Sequence, residues 1–354
     1  MQQELTKQAI ALLKNLIETQ SFSSEEEGTA VLIENWFKRY NIPFQRENNN
    51  IWAFNKNFDA SKPSILLNSH HDTVKPNGNY TRNPFEAKVE EGKLFGLGSN
   101  DAGGCLISLI ATFTYFYERT DLAYNLIITA TAEEESSGPL GLKSILSHFT
   151  NVEFAIVGEP TLMQLAIAEK GLLVLDVSVN GTASHAAHPN NDNSIYNALP
   201  VIQWFQNYQF KKESETLGKV KMTVTQLAAG NQHNVVPSHC NLVVDIRVND
   251  CYTNQEVLEE VSKAMPENTT VKPRSLRLGS SSIPKDHPVV LSGMAMGRTT
   301  YGSPTLSDQS VLSCPSLKLG PGDSTRSHSA DEFIYVNEIE EGVALYIQIL
   351  EGIL

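Results

Sequence analysis

Apolar residues in the first forty positions recur at helical spacing. Leu5, Ile10, Leu13, Leu16 and Ile17 mark one amphipathic helix, and Val31, Ile33, Trp36 and Phe37 mark a second. A Ser-rich break at residues 21–24 separates the two. Pro43 bars the second from continuing, because a proline ring disfavours helical geometry in the residue before it. The period then shortens. Residues 51–55 and 64–69 read as strands, the latter running straight into His70. Residues 103–119 read as a long helix opened by two glycines, 125–132 as a buried strand, 140–149 as a helix and 153–157 as another strand. Such alternation predicts an α/β fold, with a mixed, mainly parallel sheet covered by helices on both faces.

A different rhythm follows Glu169. Residues 171–179 form a partly alternating strand, 194–208 a helix, 220–227 and 241–248 strands, 253–265 a helix, and a closing strand lies near Val271. This order suggests a small one-layer antiparallel sheet with two helices. Residues 273–288, rich in Ser, Pro and Gly, read as the return linker. A helix at 289–297, a strand at 316–319 and a last helix at 337–350 then complete the first domain. The expected organisation is a catalytic domain over 1–169 and 275–354, interrupted by an α+β lid and dimerisation domain over 170–274. A chain of 354 residues is long enough for both.

Charge narrows the partners. With 27 basic against 40 acidic residues the net charge is −13, which argues against nucleic acid or an anionic membrane surface. The N-terminus has neither the basic nor the apolar region of a secretory signal, and the apolar-rich stretch 105–117 is too short to span a bilayer. Cys105, Cys240, Cys251 and Cys314 show no C-x-x-C spacing, so they read as reduced structural thiols of a cytoplasmic protein.

The chemistry lies in six separated fragments: S-H-H-D-T-V, S-N-D-A-G-G, A-E-E-E-S-S-G, V-G-E-P-T, G-T-A-S-H and T-R-S-H-S-A-D-E. They supply His70, Asp72, Asp101, Glu134, Glu135, Glu159, His185 and His328, the imidazoles and carboxylates that a two-metal hydrolase needs. Most of them end an apolar strand-like run, where an open α/β sheet places its site. A lone histidine such as His70 is more often an ordinary loop-end polar group; the set is what counts. Asp72, two residues on, faces the same way and can orient its neighbour. Asp101 lies in a glycine-rich turn before a helix, where capping that helix and bridging two cations are equally open to it. Glu133, Glu134 and Glu135 follow a buried strand, so at least one carboxylate must enter a polar pocket rather than solvent. Adjacent carboxylates suit a division of labour in which one binds metal and its neighbour takes a proton from the attacking water. Glu159 repeats the strand-end placement, and His328 follows strand 316–319 and the loop G-P-G-D.

Together these fragments resemble the zinc-dependent amidohydrolase and metallopeptidase family of acetylornithine deacetylase, succinyl-diaminopimelate desuccinylase and glutamate-releasing carboxypeptidases. The resemblance covers nearly the whole chain in order. It is nearest to acetylornithine deacetylases and relatives acting on N-acyl ornithine, citrulline or lysine. It implies two Zn2+ per subunit, with Co2+ or Mn2+ as substitutes. One ion would be held by His70, Asp101 and Glu159, the other by Asp101, Glu135 and His328. Asp101 then bridges, Glu134 is the general base and Asp72 orients His70. The run of three glutamates leaves this register open by one residue, with Glu133 in the family's first acidic place. Asn100 departs from the Cys- or Met-rich version of its turn.

Three further positions match. His185 in G-T-A-S-H-A-A-H-P resembles the histidine that, in dimeric relatives, reaches the partner subunit's site and polarises the scissile carbonyl. Asn234 in H-N-V-V-P and Arg247 in V-D-I-R resemble residues that hold the substrate's carboxylate or carbonyl; from local sequence alone they read as a turn asparagine and a strand-surface arginine. His188 reads as structural. Ser307 and Asp308, in G-S-P-T-L-S-D, resemble a substrate-facing Gly-Thr-Ser-Asp loop but depart from it in spelling.

The implied activity is metal-assisted hydrolysis of the amide of a small N-acyl amino acid, N2-acetyl-ornithine in arginine biosynthesis first among them, by a homodimer joined through the inserted domain. Three alternatives stand beside it: an N-acetyl-lysine deacetylase, a dipeptidase or carboxypeptidase with the same metals, and a non-catalytic scaffold on an inherited hydrolase fold. A missing ligand or base would mark the scaffold, and none is missing.

Overall fold

Strand Ser64–His70 is buried at every position, which is why it reads as an unbroken run rather than an alternating one. In the computed structural model, which describes residues 1–354, it lies inside a mixed sheet. The strand order is Phe44–Glu47, Asn50–Phe54, Asn125–Thr131, Ser64–His70, Val152–Val157, Ser316–Lys318, Leu165–Glu169. The central pairings are parallel, and the Phe44–Glu47 and Asn50–Phe54 hairpin is an antiparallel edge. Because the parallel strands run in register, with His70 opposite Thr131 and Asn68 opposite Val157, their carboxyl ends share one edge.

Helix Gly104–Phe116 is apolar all round and wholly buried along most of its length, as a helix covered on every side must be. Its polar interruptions are harmless. Ser108 and Thr112 donate to the carbonyls of Gly104 and Ser108, at 2.7 and 2.8 Å. Helices Gln2–Glu18, Glu27–Arg39 and Val336–Glu351 join it in one large core. On the other face a smaller cluster of Trp52, Leu66, Ile127, Leu142, Ile145, Phe149 and Ala155 is packed. The mainly parallel sheet with helices on both faces, expected from the alternation, is the fold observed.

Some elements differ from expectation. The long helix ends at Phe116 rather than 119. The helix expected over 140–149 is a single α turn, Leu142–Ile145, continued as the 3-10 turn Leu146–His148 before Phe149 turns extended. Strands Phe44–Glu47 and Leu165–Glu169 are not predicted by the periodicity. The first alternates over polar residues, and the second is a run of only four apolar residues before Glu169, whose period cannot be told from a helix turn.

The chain divides into two units. One comprises Met1–Ile167, Ser282–Tyr301 and Ser307–Leu354; the other comprises Ala168–Ser281 and Gly302–Leu306. The second unit thus reaches Ser281 rather than 274. Part of the stretch read as a linker is held in it by hydrogen bonds, with the Leu278 carbonyl accepting from Leu172 N at 3.0 Å and from Asn254 Nδ2 at 2.9 Å.

The second unit is a four-stranded antiparallel sheet ordered Lys221–Ala229, His239–Val248, Gly171–Asn180, Thr269–Pro273. Leu173, Leu175, Val177 and Val179 point into its core, against helices Ser194–Asn207 and Asn254–Ala264. Asn193 caps the first helix through Ile195 N at 2.9 Å, and a Thr253/Glu256 capping box opens the second. No helix of the protein is long and apolar enough to cross a membrane.

Candidate metal centre

His70 ends its strand with both ring nitrogens committed to definite directions. Nδ1 lies 3.0 Å from the Asp72 main-chain oxygen and 3.4 Å from Asp72 Oδ1. Nε2 faces Asp101 Oδ1 at 3.3 Å and Glu159 Oε1 at 3.9 Å. The other oxygen of Asp101 is 3.6 Å from His328 Nε2, which is 2.9 Å from Glu135 Oε2. Two triads therefore share one aspartate: His70, Asp101 and Glu159, and Asp101, Glu135 and His328. The ligand atoms within each lie within 4.8 Å of one another. Of the two local readings of Asp101, helix capping falls away, since helix Gly104–Phe116 begins at Gly103 with no side-chain cap.

The three consecutive glutamates have three different surroundings. Glu133 turns the chain at the strand end with φ +56°, and its buried carboxylate accepts from Ser24 Oγ at 2.7 Å and Leu140 N at 2.9 Å. Glu135 meets His328. Glu134 joins the hydrogen-bond network through its backbone alone, its amide donating to Asp72 and its carbonyl accepting from Ser137 N at 2.7 Å. Asp72 sets this arrangement: its carboxylate is fully buried and accepts from Glu134 N at 3.0 Å, Glu135 N at 3.1 Å and Ser23 Oγ at 2.7 Å. It holds the acidic turn as well as His70.

Electrostatics tests whether metal ions suit these residues. Burial, reinforced by the Asp101 charge, pushes Glu159 up to about 8, and burial also raises Glu134 and Glu135. The hydrogen bond that His328 donates to the Glu135 carboxylate lifts its imidazole to about 9. Burial alone would lower His70, but the Asp101 and Asp72 carboxylates outweigh it and raise it. Carboxylates this crowded repel one another, and divalent cations relieve that repulsion. Oxygen and imidazole donors in two triads are the ligand chemistry that zinc takes. The residues fit a metal pair.

The remaining expected residues, and His71 beside His70, fall in two groups. In the first unit, His71 is buried with Nδ1 at 2.8 Å from Thr29 Oγ1 and Nε2 at 2.8 Å from the Asn49 carbonyl; burial lowers it to about 4, so it is a neutral structural histidine. Asp308 is buried, its Oδ2 accepting from Asn68 Nδ2 and Thr131 Oγ1, each at 2.8 Å. Ser307 is buried beside it and caps the turn Asp308–Val311.

His185, Asn234 and Arg247 belong to the second unit. His185 pairs with Val235 across a two-residue ribbon, and the Asn234 carbonyl accepts from Ala186 N at 2.9 Å, so these two are neighbours. Arg247 holds Asp245 with Nε–Oδ1 at 2.9 Å and Nη2–Oδ2 at 3.2 Å. Sequence reasoning missed two buried carboxylates, Glu26 and Glu332, which bind backbone amides of the site loops. The only signal for Glu332 was a second acid directly after Asp331 in H-S-A-D-E.

A mixed, mainly parallel α/β sheet with two aspartate-linked triads at its carboxyl edge is the architecture of a metal-dependent amide hydrolase. The chain belongs to peptidase family M20/M25/M40, whose sequence profile matches residues 66–352. Acetylornithine deacetylase of Shigella sonnei is 27% identical over 96% of this chain and 96% of its own length. The [LysW]-lysine/[LysW]-ornithine hydrolase of Saccharolobus solfataricus is 26% identical over 99% and 97%. Succinyl-diaminopimelate desuccinylase of Rickettsia bellii is 27% identical over 72% and 70%. Among solved structures, YXEP of Bacillus subtilis, described as a dinuclear metal binding peptidase of the M20 family, has a TM-score of 0.75 at 15% identity, over 98% of both chains. Aminopeptidase PepT of Bacillus cereus has a TM-score of 0.76 at 17% identity, over 100% of this chain and 99% of its own. The family expected from the motifs is thus the family found.

Proposed function

We propose that this hydrolase cleaves the amide bond of an N-acyl amino acid, with N2-acetyl-ornithine, an intermediate of arginine biosynthesis, as the leading substrate. Relatives named for acetylornithine and for lysine or ornithine conjugates match along nearly the full length, which supports this substrate class. The observation that carries the reaction type is the uncommitted carboxylate of Glu134, fixed by its backbone beside two metal-ligand triads.

His70, Asp101 and Glu159 would hold one zinc ion, and Asp101, Glu135 and His328 the other, with Co2+ or Mn2+ able to substitute. Bound ions supply Lewis acidity, lowering the pKa of a water and polarising the acyl carbonyl. Glu134, whose proton affinity burial raises, takes the proton of the attacking water and passes it to the leaving α-amine. Asp72 keeps base and ligands in one frame through His70 and the amides of Glu134 and Glu135. The Arg247 guanidinium clamps the substrate's carboxylate, and Asn234 and His185 act at the acyl carbonyl, where an imidazole stabilises developing negative charge.

The second unit supports a homodimer. Arg247 lies eight residues along its strand from His239, roughly 27 Å at the rise of an extended chain, while the His185–Asn234 ribbon joins the His239 end. If all three side chains meet one small amino acid, that span favours two copies related by a two-fold axis over one. Mixing inactive His185→Ala with inactive Glu134→Ala protein, under conditions of subunit exchange, should therefore restore activity. Random pairing leaves about a quarter of the sites with both groups intact. No recovery despite demonstrated exchange would place His185 within its own subunit or outside catalysis.

A panel of N-acetyl and N-succinyl derivatives of ornithine, citrulline and lysine, set against dipeptides, tests the substrate. The N-acyl amino acids should give the higher kcat/KM, with N2-acetyl-ornithine leading. Preference for dipeptides would move the protein to the peptidase branch of its family.

A further inference from the structure

We infer that Glu332 positions the shared aspartate of the two triads, and that it does so through hydrogen bonds to main chain rather than through its charge. The inference rests on the two-ion reading of the site. Glu332 is 2% exposed, and its Oε1 accepts from Asn100 N at 2.8 Å and Asp101 N at 2.9 Å. Its Oε2 accepts from Gly98 N at 3.2 Å, and its main-chain oxygen accepts from Gly96 N at 3.0 Å. The loop depends on these acceptors. Gly98 has φ +75°, and a Cβ there would stand 2.6 Å from Thr73 Cγ2. The helix that follows has no side-chain cap at its start. Buried amides without a partner are costly, so Glu332 determines where this stretch of backbone settles, and with it Asp101.

The same segment also carries His328. Its exposed side is tied down separately, with Asp331 accepting from Thr81 N and Arg82 N, each at 2.9 Å, and the His328 carbonyl accepting from Asn77 Nδ2 at 3.1 Å. Four residues therefore link a metal-ligand imidazole to the carboxylate that grips the backbone of Asp101. Glu332 fixes the separation of two members of the second triad.

The geometry makes an asymmetric forecast. Both short bonds end on Oε1, so Glu332→Gln can keep them with its amide oxygen and forfeit only the contact to Gly98. Glu332→Asp keeps the charge but withdraws the carboxylate by one methylene. The test is titration of metal-free protein with Zn2+ against a chromophoric chelator, beside kcat and KM for N2-acetyl-ornithine and the melting temperature of the metal-free protein.

Wild type should take up two ions. Glu332→Gln should hold both within about threefold of wild-type affinity. Glu332→Asp and Glu332→Ala should bind the weaker ion about 10–100-fold less tightly, with kcat falling and KM little changed, as happens when the residues supporting a metal ligand are lost. If alanine does not fold, the glutamine and aspartate variants still decide the matter. A glutamine variant as impaired as the aspartate one would overturn the inference, because charge would then be what counts. So would aspartate and alanine variants that melt earlier yet bind both ions like wild type, since the role would then be structural only. Wild-type protein that takes up fewer than two ions would instead remove the two-ion reading, whatever the variants do.

Discussion

Replacing Glu134 with alanine should lower kcat by about 10²–10⁴-fold, the range of a lost general acid–base group, while both ions remain bound. The expectation follows from how the three glutamates differ. Glu133 is consumed by Ser24 and Leu140, and Glu135 by His328; Glu134 is held by its backbone alone, to Asp72 and Ser137. Truncating its side chain therefore breaks no hydrogen bond and removes no member of either triad. The fold and the metal content should be those of wild type. If metal content falls together with activity, Glu134 is a ligand and the roles in the acidic run shift by one residue.

Asp101→Ala should fail in a different way, losing metal and with it activity. One carboxylate faces both imidazoles, with Oδ1 at 3.3 Å from His70 and Oδ2 at 3.6 Å from His328, so a single truncation weakens both triads. The loop itself should stay in place, because Glu332 binds the amide of residue 101 and not its side chain. Elemental analysis of dialysed protein should find less than one ion per chain, with an unchanged circular dichroism spectrum. Two tightly retained ions would exclude a bridging role for Asp101.

Much of this architecture was readable from the chain because its strands and helices bury themselves differently. Strand Ser64–His70, buried on both faces, appears as a continuous run, and helix Gln2–Glu18 shows one apolar stripe. The candidate ligands stood out as histidines and carboxylates at the ends of such strands. Two things left little mark in the sequence. The register of the glutamate run depends on the left-handed φ of Glu133, a property of the backbone. Glu26 and Glu332 act on main-chain amides, which have no residue type and therefore no spacing to recognise. The pairing of Arg247 with Asp245, by contrast, is open to reading, since D-I-R in a strand places both side chains on the same face.

The central claim is a pair of ions joined by Asp101, and anomalous diffraction from zinc-loaded crystals tests it most directly. Two anomalous peaks about 3.5–4 Å apart are expected, as in other two-metal sites. One should be bounded by His70 and Glu159, the other by Glu135 and His328, with the Asp101 carboxylate between them. A single peak at full zinc occupancy, or two peaks without Asp101 between them, would contradict the account.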